Sequence, residues 1–298
     1  MSVALLMNTL IYASMLVLMA QAHTLTYLTS DTFNLTIGPT AAIGAYTGFT
    51  VARVLRAQVY LSLPAAFTVC GLTGALCCAL VVEPLLRRRR GPVYVTLALI
   101  AAGIILSTLV ECYSYWLMTH FGAYAQYFSL PNYDFTVGWV PGVFIVSTVI
   151  AVVSVLFHER LLKGTIIGAS LKAVADDADL AMVQGVNPSR VRWRAWALAG
   201  GLAGLAGAYG SIWFVWPQAM GTTLMTGVLA SCLLGGVRSM RGAAVGGLIM
   251  GVVEITLIVW ANHTIGVWMG EYRPLVPIAV MTLTMYFKPQ GLLGQPVT

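Results

Sequence analysis

The chain has 298 residues, of which 59% are hydrophobic and only 9% are charged, with a formal net charge of +6. Soluble domains carry about 45–50% apolar and ~25% charged residues, so the composition excludes a soluble globular protein, a disordered chain and a disulfide-rich secreted scaffold. Since the positive charge of a membrane chain reports its orientation, it does not indicate nucleic-acid binding. We therefore expect an all-α polytopic membrane protein.

Stretches without charged residues predict the spans, because a helix needs about 20 mostly apolar residues to cross the hydrocarbon core. The charge-free stretches are 1–30, 32–52, 57–82, 91–110, 113–133, 135–158 and 195–237. They are followed by 242–261, interrupted only by Glu254, and by an apolar stretch at roughly 268–288. The run 195–237 is long enough for two helices that meet at Pro217–Gly221. We expect eight or nine crossings in a single transmembrane domain over residues 1–298.

The N-terminal stretch raises the question of a cleaved signal peptide. Ala20-Gln21-Ala22 resembles a signal-peptidase site, but no basic residue precedes the apolar run. Because a basic segment is part of that signal, we expect a retained first helix.

The distribution of basic residues predicts the orientation. With the C-terminus in the cytoplasm, all of the 16 Lys and Arg residues except Arg53, Arg56 and Arg273 fall on the cytoplasmic side. The positive-inside rule therefore favours a cytoplasmic C-terminus. The run Arg87–Arg90 is most simply part of this signal, and a contact with lipid headgroups is the alternative.

Polar residues near the predicted span ends have local interpretations. The outer segment 119–141 is rich in Tyr, Phe and Trp, which fits either an interfacial aromatic belt or a docking surface for an external partner. The four histidines are expected to be solvated interface residues: His23, His120, His158 and His263. The five cysteines are expected to be buried, unreactive thiols, and no spacing of Cys and His predicts a metal site.

The segment 23–38 is too polar for a lipid-facing helix. Polar groups at membrane depth are tolerated where they are buried in protein or line water, and broken helices often present backbone groups to a transported ligand. We therefore assign Asn34, Thr36 and Gly38 to a translocation path. The alternative is an extramembrane loop with Asp31 in water.

The segment 159–194 is the longest charged stretch, and it contains signals for a short helix. Asp177 can cap the N-terminus of a helix through Leu180 and Val183, and Gly185 stands where a helix ends. Asn187 and Pro188 then begin the next helix. This pattern favours a lever that presses against a cytoplasmic partner, with a solvated linker as the alternative.

Small residues recur at helical spacing in the last third of the chain. They predict close helix packing within the subunit, with a sliding seam or a subunit interface as the alternative: Gly200, Gly204, Gly207, Gly247 and Gly251. Glu254 lies on the same face as the last two glycines and should point into the bundle. It either makes a structural hydrogen bond or belongs to a substrate path.

The chain resembles a known family, the membrane permease subunits of branched-chain amino acid ABC importers. The resemblance is carried by LKAVADDADLAMVQGVNPSRVRWRAWALAGGLAGLAGAYG (171–210), LLGGVRSMRGAAVGGLIMGVVE (233–254), FKPQGLLG (287–294) and FNLTIGPTAAIGAY (33–46). Thr36, Ile37 and Lys172 depart from the family pattern, the first two in the segment assigned to the substrate path.

The resemblance implies a permease of the cell (inner) membrane that moves hydrophobic, branched-chain amino acids by alternating access. It implies two separate ABC ATPase subunits, a second homologous permease subunit and an extracytoplasmic substrate-binding protein. The segment 171–188 would be the coupling helix against an ATPase subunit, with Lys172, Asp177, Leu180, Val183 and Gly185 in it. Import of urea or short-chain amides is an alternative within the family.

Nucleotide chemistry is not expected on this chain. None of its three lysines is followed by Ser or Thr, as a phosphate-binding loop requires. No cofactor or metal is predicted, and a membrane-bound enzyme is the weakest class because no nucleophile–base pair is evident. A self-contained secondary transporter is disfavoured by the scarcity of ionisable residues within the spans.

Overall fold

The computed structural model describes residues 3–294, and within this range the chain is built from α-helices. The helices are α1 Val3–Ser30, α2 Ile37–Phe49, α3 Ser62–Cys77, α4 Glu83–Arg87, α5 Pro92–Phe121, α6 Gly142–Gly164, α7 Ile166–Asp176, α8 Ala178–Val183, α9 Pro188–Trp213, α10 Met220–Gly235, α11 Met240–Thr264 and α12 Leu275–Phe287. The strands have two residues each: β1 Tyr127–Phe128, β2 Thr136–Val137, β3 Val140–Pro141 and β4 Trp216–Pro217. β1 pairs antiparallel with β4, and β2 with β3.

Six of the described helical segments are long and apolar enough to cross a membrane. They are Val3–Ser30, Val59–Arg87, Pro92–Phe121, Gly142–Gly164, Pro188–Trp213 and Met240–Thr264. The second includes α3, α4 and the π-helical turn Cys78–Val82 between them. Two shorter apolar helices, α10 and α12, accompany these six. The all-α polytopic fold is thus confirmed, while eight or nine crossings stay a prediction.

One boundary inferred from the sequence is wrong. The stretches 91–110 and 113–133 do not form separate elements, because α5 runs unbroken through Glu111 to Phe121. A single carboxylate on an exposed helix face does not interrupt the backbone hydrogen bonds, although it divides the charge-free run. The helix ends where Gly122 adopts a left-handed conformation with φ of 60°, and residues 122–141 then contain only the short strands and a 3-10 turn.

The helix α1 lies at the centre of the bundle. Most of its side chains from Ile11 to Ser30 are buried, and it packs against α6, α9, α10 and α11. Its polar groups find partners inside the protein: the Ser154 hydroxyl of α6 donates to Gln21 Oε1 over 2.9 Å. The polar second half of α1 is therefore surrounded by other helices and does not face lipid.

Close backbone contacts join α9 to α2 and α3. A Cβ atom at Gly204 would overlap Cys70 of α3, and one at Gly44 of α2 would overlap the Gly204 carbonyl. Gly200 lies against the Cys70 carbonyl and Gly207 against the Ala41 carbonyl. The glycines of α9 thus allow two neighbouring helices to approach at backbone distance.

A second seam joins α11 to α1. A Cβ atom at Gly247 would lie 2.8 Å from Val17 Cα, and Gly251 is in equally direct contact with the Ala13 backbone. The residue that follows on this face of α11 is Glu254, which is 3% exposed. The seam therefore brings the carboxylate against α1.

Charged side chains gather at the two ends of the bundle. At one end Arg238 pairs with Asp31 at 2.9 Å, Arg241 pairs with Glu159, and Arg192 pairs with Glu83 at 3.0 Å. At the other end Tyr60 donates to Asp134, and the Arg53 guanidinium lies 5.8 Å from the centre of the Tyr133 ring. The three arginines at the first end, Arg192, Arg238 and Arg241, all lie in segments that the positive-inside rule predicts to be cytoplasmic.

Two expectations about polar residues are wrong. His23 and His158 are 0% and 1% exposed, not solvated, because each ring has a backbone partner inside the protein. His23 Nδ1 lies 3.3 Å from the Asn34 carbonyl oxygen and His158 Nδ1 lies 2.7 Å from that of Ser154. His120 and His263 are exposed, as expected. Cys112 is exposed on α5, whereas the other four cysteines are buried.

Candidate functional site

The break between α1 and α2 places the first predicted path residues. Asn34 Oδ1 accepts hydrogen bonds from the Thr36 amide over 3.0 Å and the Thr36 hydroxyl over 2.6 Å. The Asn34 carbonyl faces the His23 ring, and both Asn34 and Thr36 are at most 2% exposed. This local network orders the turn that leads into α2.

Gly38 lies at the contact between α2 and α10. A Cβ atom there would overlap the Gly221 carbonyl, and the Gly38 amide points at Met225 Sδ over 3.2 Å. In this conformation Asn34, Thr36 and Gly38 are therefore covered by protein. Their assignment to a translocation path stays a prediction, and it requires a conformation in which α2 and α10 separate.

Glu254 forms a buried polar cluster with two residues that sequence reasoning did not connect to it. Its Oε1 accepts from the Tyr12 hydroxyl over 2.8 Å and from Arg273 Nε over 2.6 Å. The Arg273 guanidinium also lies 4.3 Å from the centre of the Tyr12 ring. The cluster joins α1, α11 and the turn before α12, and it compensates the cost of burying the carboxylate.

The cluster keeps unused hydrogen-bonding capacity. Among residues 3–294 no partner contacts Glu254 Oε2 or Arg273 Nη2, and both atoms are buried. Oε2 faces Gly227 of α10, where a Cβ atom would be 3.4 Å away. A carboxylate acceptor and a guanidinium donor that lie together suit the ammonium and carboxylate of an amino acid, or they hold the helices together.

The segment between α6 and α9 folds into two short helices. Thr165 caps α7, and Asp177 Oδ1 caps α8 by accepting from the amides of Asp179 and Leu180 over 2.9 and 3.0 Å. Gly185 ends α8 with φ of 84°, and Asn187 caps α9. The short helix that the sequence predicts is therefore present, with a further helix before it.

The helix α8 exposes most of its apolar side chains. Leu180 is 57% exposed, Met182 55% and Val183 86%, while Ala181 alone is buried. The caps at both ends fix a helix of six residues that would not persist alone in water. An apolar surface of this kind on an otherwise polar segment is typical of a contact with another protein.

Lys172 lies apart from this surface. It is on α7 and lines a cavity of about 920 Å³ at the same end of the bundle. The cavity is closed on other sides by Asp31, Asp176 and Arg238, and by the C-terminal residues Pro289 and Gln290. The structure thus separates Lys172 from Leu180 and Val183, although the sequence places them in one coupling segment.

A second buried ion pair escaped the sequence analysis. Glu83 Oε2 accepts from Arg192 Nε of α9 over 3.0 Å, and Arg87 binds the same carboxylate over 3.1 Å. Glu83 closes the charge-free run 57–82, which hides it among ordinary span-end charges. It fixes the start of α9 to the start of α4.

The chain as a whole is similar to known transport permeases. Residues 5–285 match the family model described as branched-chain amino acid transport system / permease component. A relative named probable branched-chain amino acid transport permease protein LivH, from Methanocaldococcus jannaschii, is 30% identical over 96% of this chain and 90% of that protein.

Two further likenesses are more distant. The high-affinity branched-chain amino acid transport system permease protein LivH of Escherichia coli K12 is 25% identical over 55% of this chain and 51% of its own. Among solved structures, a chain of PsaBC from Streptococcus pneumoniae in complex with Fab aligns with a TM-score of 0.52 over 96% of this chain and 92% of that chain. At 14% identity this last likeness concerns the fold alone.

The Glu254 cluster generates a test by paired substitutions. Glu254→Gln keeps an acceptor for the Tyr12 hydroxyl, whereas Glu254→Leu leaves Tyr12 and Arg273 without a partner, at a cost of about 1–3 kcal/mol. We expect the leucine variant to unfold at a lower temperature in detergent and the glutamine variant to stay near the wild type. Tyr12→Phe is the control, because it removes one hydrogen bond and leaves the ion pair. Equal stability of all four proteins would show that the cluster contributes nothing to packing.

Proposed function

The chain belongs to the family of permease components of branched-chain amino acid transport systems, and from this premise we propose that it forms the membrane pathway of an ABC importer for branched-chain amino acids. Hydrolysis of ATP on separate subunits drives the transport. The chain itself is not an enzyme and needs no cofactor.

The exposed apolar surface of α8 is the observation that carries this proposal. A channel or a self-contained transporter has no need for a capped six-residue helix that presents Leu180, Met182 and Val183 outward. An importer powered by another subunit needs a rigid contact of this kind. The connection through Gly185 and Asn187 leads directly into α9, which packs against α2 and α3.

We propose nine crossings in one permease domain over residues 1–298, with the C-terminus in the cytoplasm. The six long apolar helices are joined by α10, by α12 and by α2 with its π-helical extension Thr50–Val54. The pairing of Arg241 with Glu159 supports this orientation, because it joins two segments that the positive-inside rule places in the cytoplasm.

The partners proposed are two ABC ATPase subunits, a second homologous permease subunit and an extracytoplasmic substrate-binding protein. Within the assembly, α8 is the coupling helix, with Asp177 and Gly185 as its ends and Leu180 and Val183 as its contact. Lys172 is proposed to belong to the same coupling segment, although it lies on α7 and faces the cavity instead of this contact. The helices proposed to move are in close backbone contact at five glycines: Gly200, Gly204, Gly207, Gly247 and Gly251.

The substrate path is proposed to run along Asn34, Thr36 and Gly38 and past Glu254. All four are buried in the present conformation, so the path opens when α10 moves away from α2 and from α11. Backbone contacts between small residues permit such a change with few side-chain rearrangements. A movement of α9 transmitted from α8 is the proposed cause.

Uptake by the reconstituted assembly tests the substrate class. Liposomes that hold the permease, its ATPases and its binding protein are expected to accumulate leucine with ATP inside and to leave urea and acetamide outside. The matched control replaces ATP with ADP, which should abolish uptake. Preference for urea or acetamide would reassign the substrate, and uptake without ATP would contradict the importer mechanism.

Thiol accessibility tests the proposed path. In a background without the five native cysteines, Asn34→Cys and Thr36→Cys should react slowly with a small water-soluble reagent in the buried conformation. Trapping ATP on the partner subunits should change the rate, because a path residue meets water in one state of the cycle. Cysteine at Thr24, which is 0% exposed within α1, is the control. No reaction at either position in any state would remove these residues from the path.

Charge substitution on α8 tests the coupling. Leu180→Asp with Val183→Asp should abolish ATPase binding or substrate-stimulated hydrolysis, because it places unpaired charge in an apolar contact. Both side chains are exposed, so the permease should insert and melt as before.

Gln184→Asp is the control, since it adds one negative charge at a neighbouring exposed residue that is already polar. We expect it to bind ATPases and to hydrolyse ATP at close to the wild-type rate. If the double variant also transports at the wild-type rate, α8 is a linker and its proposed role is wrong.

A further inference from the structure

A pocket that the transport mechanism does not use lies where α4 meets the start of α9. Its volume is about 450 Å³, and Glu83, Arg87, Arg88, Ser189 and Trp193 line it. We propose that this pocket is a binding site for the headgroup of an anionic phospholipid, whose acyl chains lie along α3.

The charge around the pocket is strongly unbalanced. Glu83 is the only carboxylate that lines it, and this group is already bound by Arg192 and Arg87. Among residues 3–294 no carboxylate lies within ion-pair distance of Arg88, Arg89 or Arg90. Arg88 lines the pocket and Arg89 and Arg90 follow it in the chain, so these guanidinium groups leave a net positive surface at this end of α4, which suits a phosphate ester.

The backbone around these arginines is ordered. The Arg90 amide donates to the Leu85 carbonyl over 3.1 Å and the Arg89 amide to the Leu86 carbonyl over 2.9 Å, which together form a Schellman end of α4. Arg89 occupies its left-handed position with φ of 50°, where glycine is usual. Hydrogen bonds therefore hold the backbone that carries Arg88, Arg89 and Arg90 in one conformation.

The apolar surface next to the pocket fits acyl chains. Leu72, Leu76 and Leu80 follow each other along α3 and the adjoining π turn and are 66%, 57% and 73% exposed. This row leads toward Pro84 and Arg88 at the pocket. Trp193, which is 46% exposed, forms the opposite wall, as expected for a ring at the boundary between headgroups and chains.

An anionic lipid accounts for both the positive charge of the arginines and the exposed leucines, whereas an acidic protein partner accounts only for the charge. An acidic surface of an ATPase subunit could meet the arginines, but it would not cover a row of exposed leucines that continues into a membrane-spanning segment. The predicted cytoplasmic location also matches the leaflet in which anionic lipids attract basic residues.

Native mass spectrometry of the full chain in mild detergent tests the site. The probes are phosphatidylglycerol and phosphatidylcholine with identical acyl chains. We expect phosphatidylglycerol to be retained preferentially, and Arg88→Gln with Ser189→Ala to weaken its retention about fivefold, the effect of one basic residue near an anionic headgroup. Lys288→Gln removes one exposed charge at the same end of the bundle and should change nothing.

A second measurement does not depend on the double variant. Phosphatidylglycerol brominated in its acyl chains should quench tryptophan fluorescence more strongly in the wild type than in Trp193→Phe, because Trp193 lies at the site. Equal quenching in the two proteins would overturn the proposal.

Four other results would also overturn the proposal. The first is equal retention of the two lipids, and the second is equal weakening by Lys288→Gln, which would indicate a diffuse basic surface. The third is displacement of the lipid by inorganic phosphate alone, which would identify a simple anion site. The fourth is loss of ATPase binding in the double variant with unchanged lipid retention, which would assign Arg88 to a protein contact. None of these measurements depends on transport, so the site can fail while the proposed function stands.

Discussion

Backbone contact between helices is the constraint on which the rest of this structure depends. In lipid, burying apolar side chains gives little net drive for helix association, so close packing and internal hydrogen bonds have to hold the bundle together. Gly200, Gly204 and Gly207 allow α9 to touch α2 and α3, and Gly247 and Gly251 allow α11 to touch α1. These two seams fix the relative positions of the helices that carry Glu254, Tyr12 and the turn before α2.

The polar groups are placed where the seams can enclose them. Along α11 the seam ends at Glu254, which is thereby pressed against Tyr12 and shielded from lipid. Along α2 the close contact with α9 and α10 covers the turn at Asn34 and Thr36. An importer needs polar groups that are stable when buried and can still be exposed, and contacts without large interlocking side chains meet both requirements.

The connection from α8 to the interior runs through one continuous element. The capped helix α8 ends at Gly185, and α9 begins two residues later at an Asn187 cap with Arg192 anchored to Glu83. The same helix then carries the glycines that meet α2 and α3. A displacement of α8 by a partner can therefore reach the turn before α2 through two helices in direct contact, which is a physical route for coupling.

The sequence by itself determined properties that depend on neighbouring residues or on the composition of the whole chain. Composition excluded a soluble protein, Asp177 and Gly185 predicted a short helix through their capping chemistry, and helical spacing put Glu254 on the glycine face. These inferences need only neighbouring residues or totals. The family resemblance rested on ordered motifs and was confirmed by the match over residues 5–285. The proposed roles of Asn34, Thr36, Gly38 and Leu180 still await experiment.

Only the tertiary structure decided which distant groups meet. Nothing near Arg273 in the sequence points to Tyr12, and nothing near Arg192 points to Glu83, because these pairs depend on how helices far apart in the chain pack side by side. The burial of His23 and His158 was missed for the same reason, whereas the unbroken course of α5 through Glu111 was missed because a charge was taken as the end of a helix. Charge and hydropathy describe a residue's own preference, whereas the free energy of a buried polar group is set by the partner that the fold brings to it.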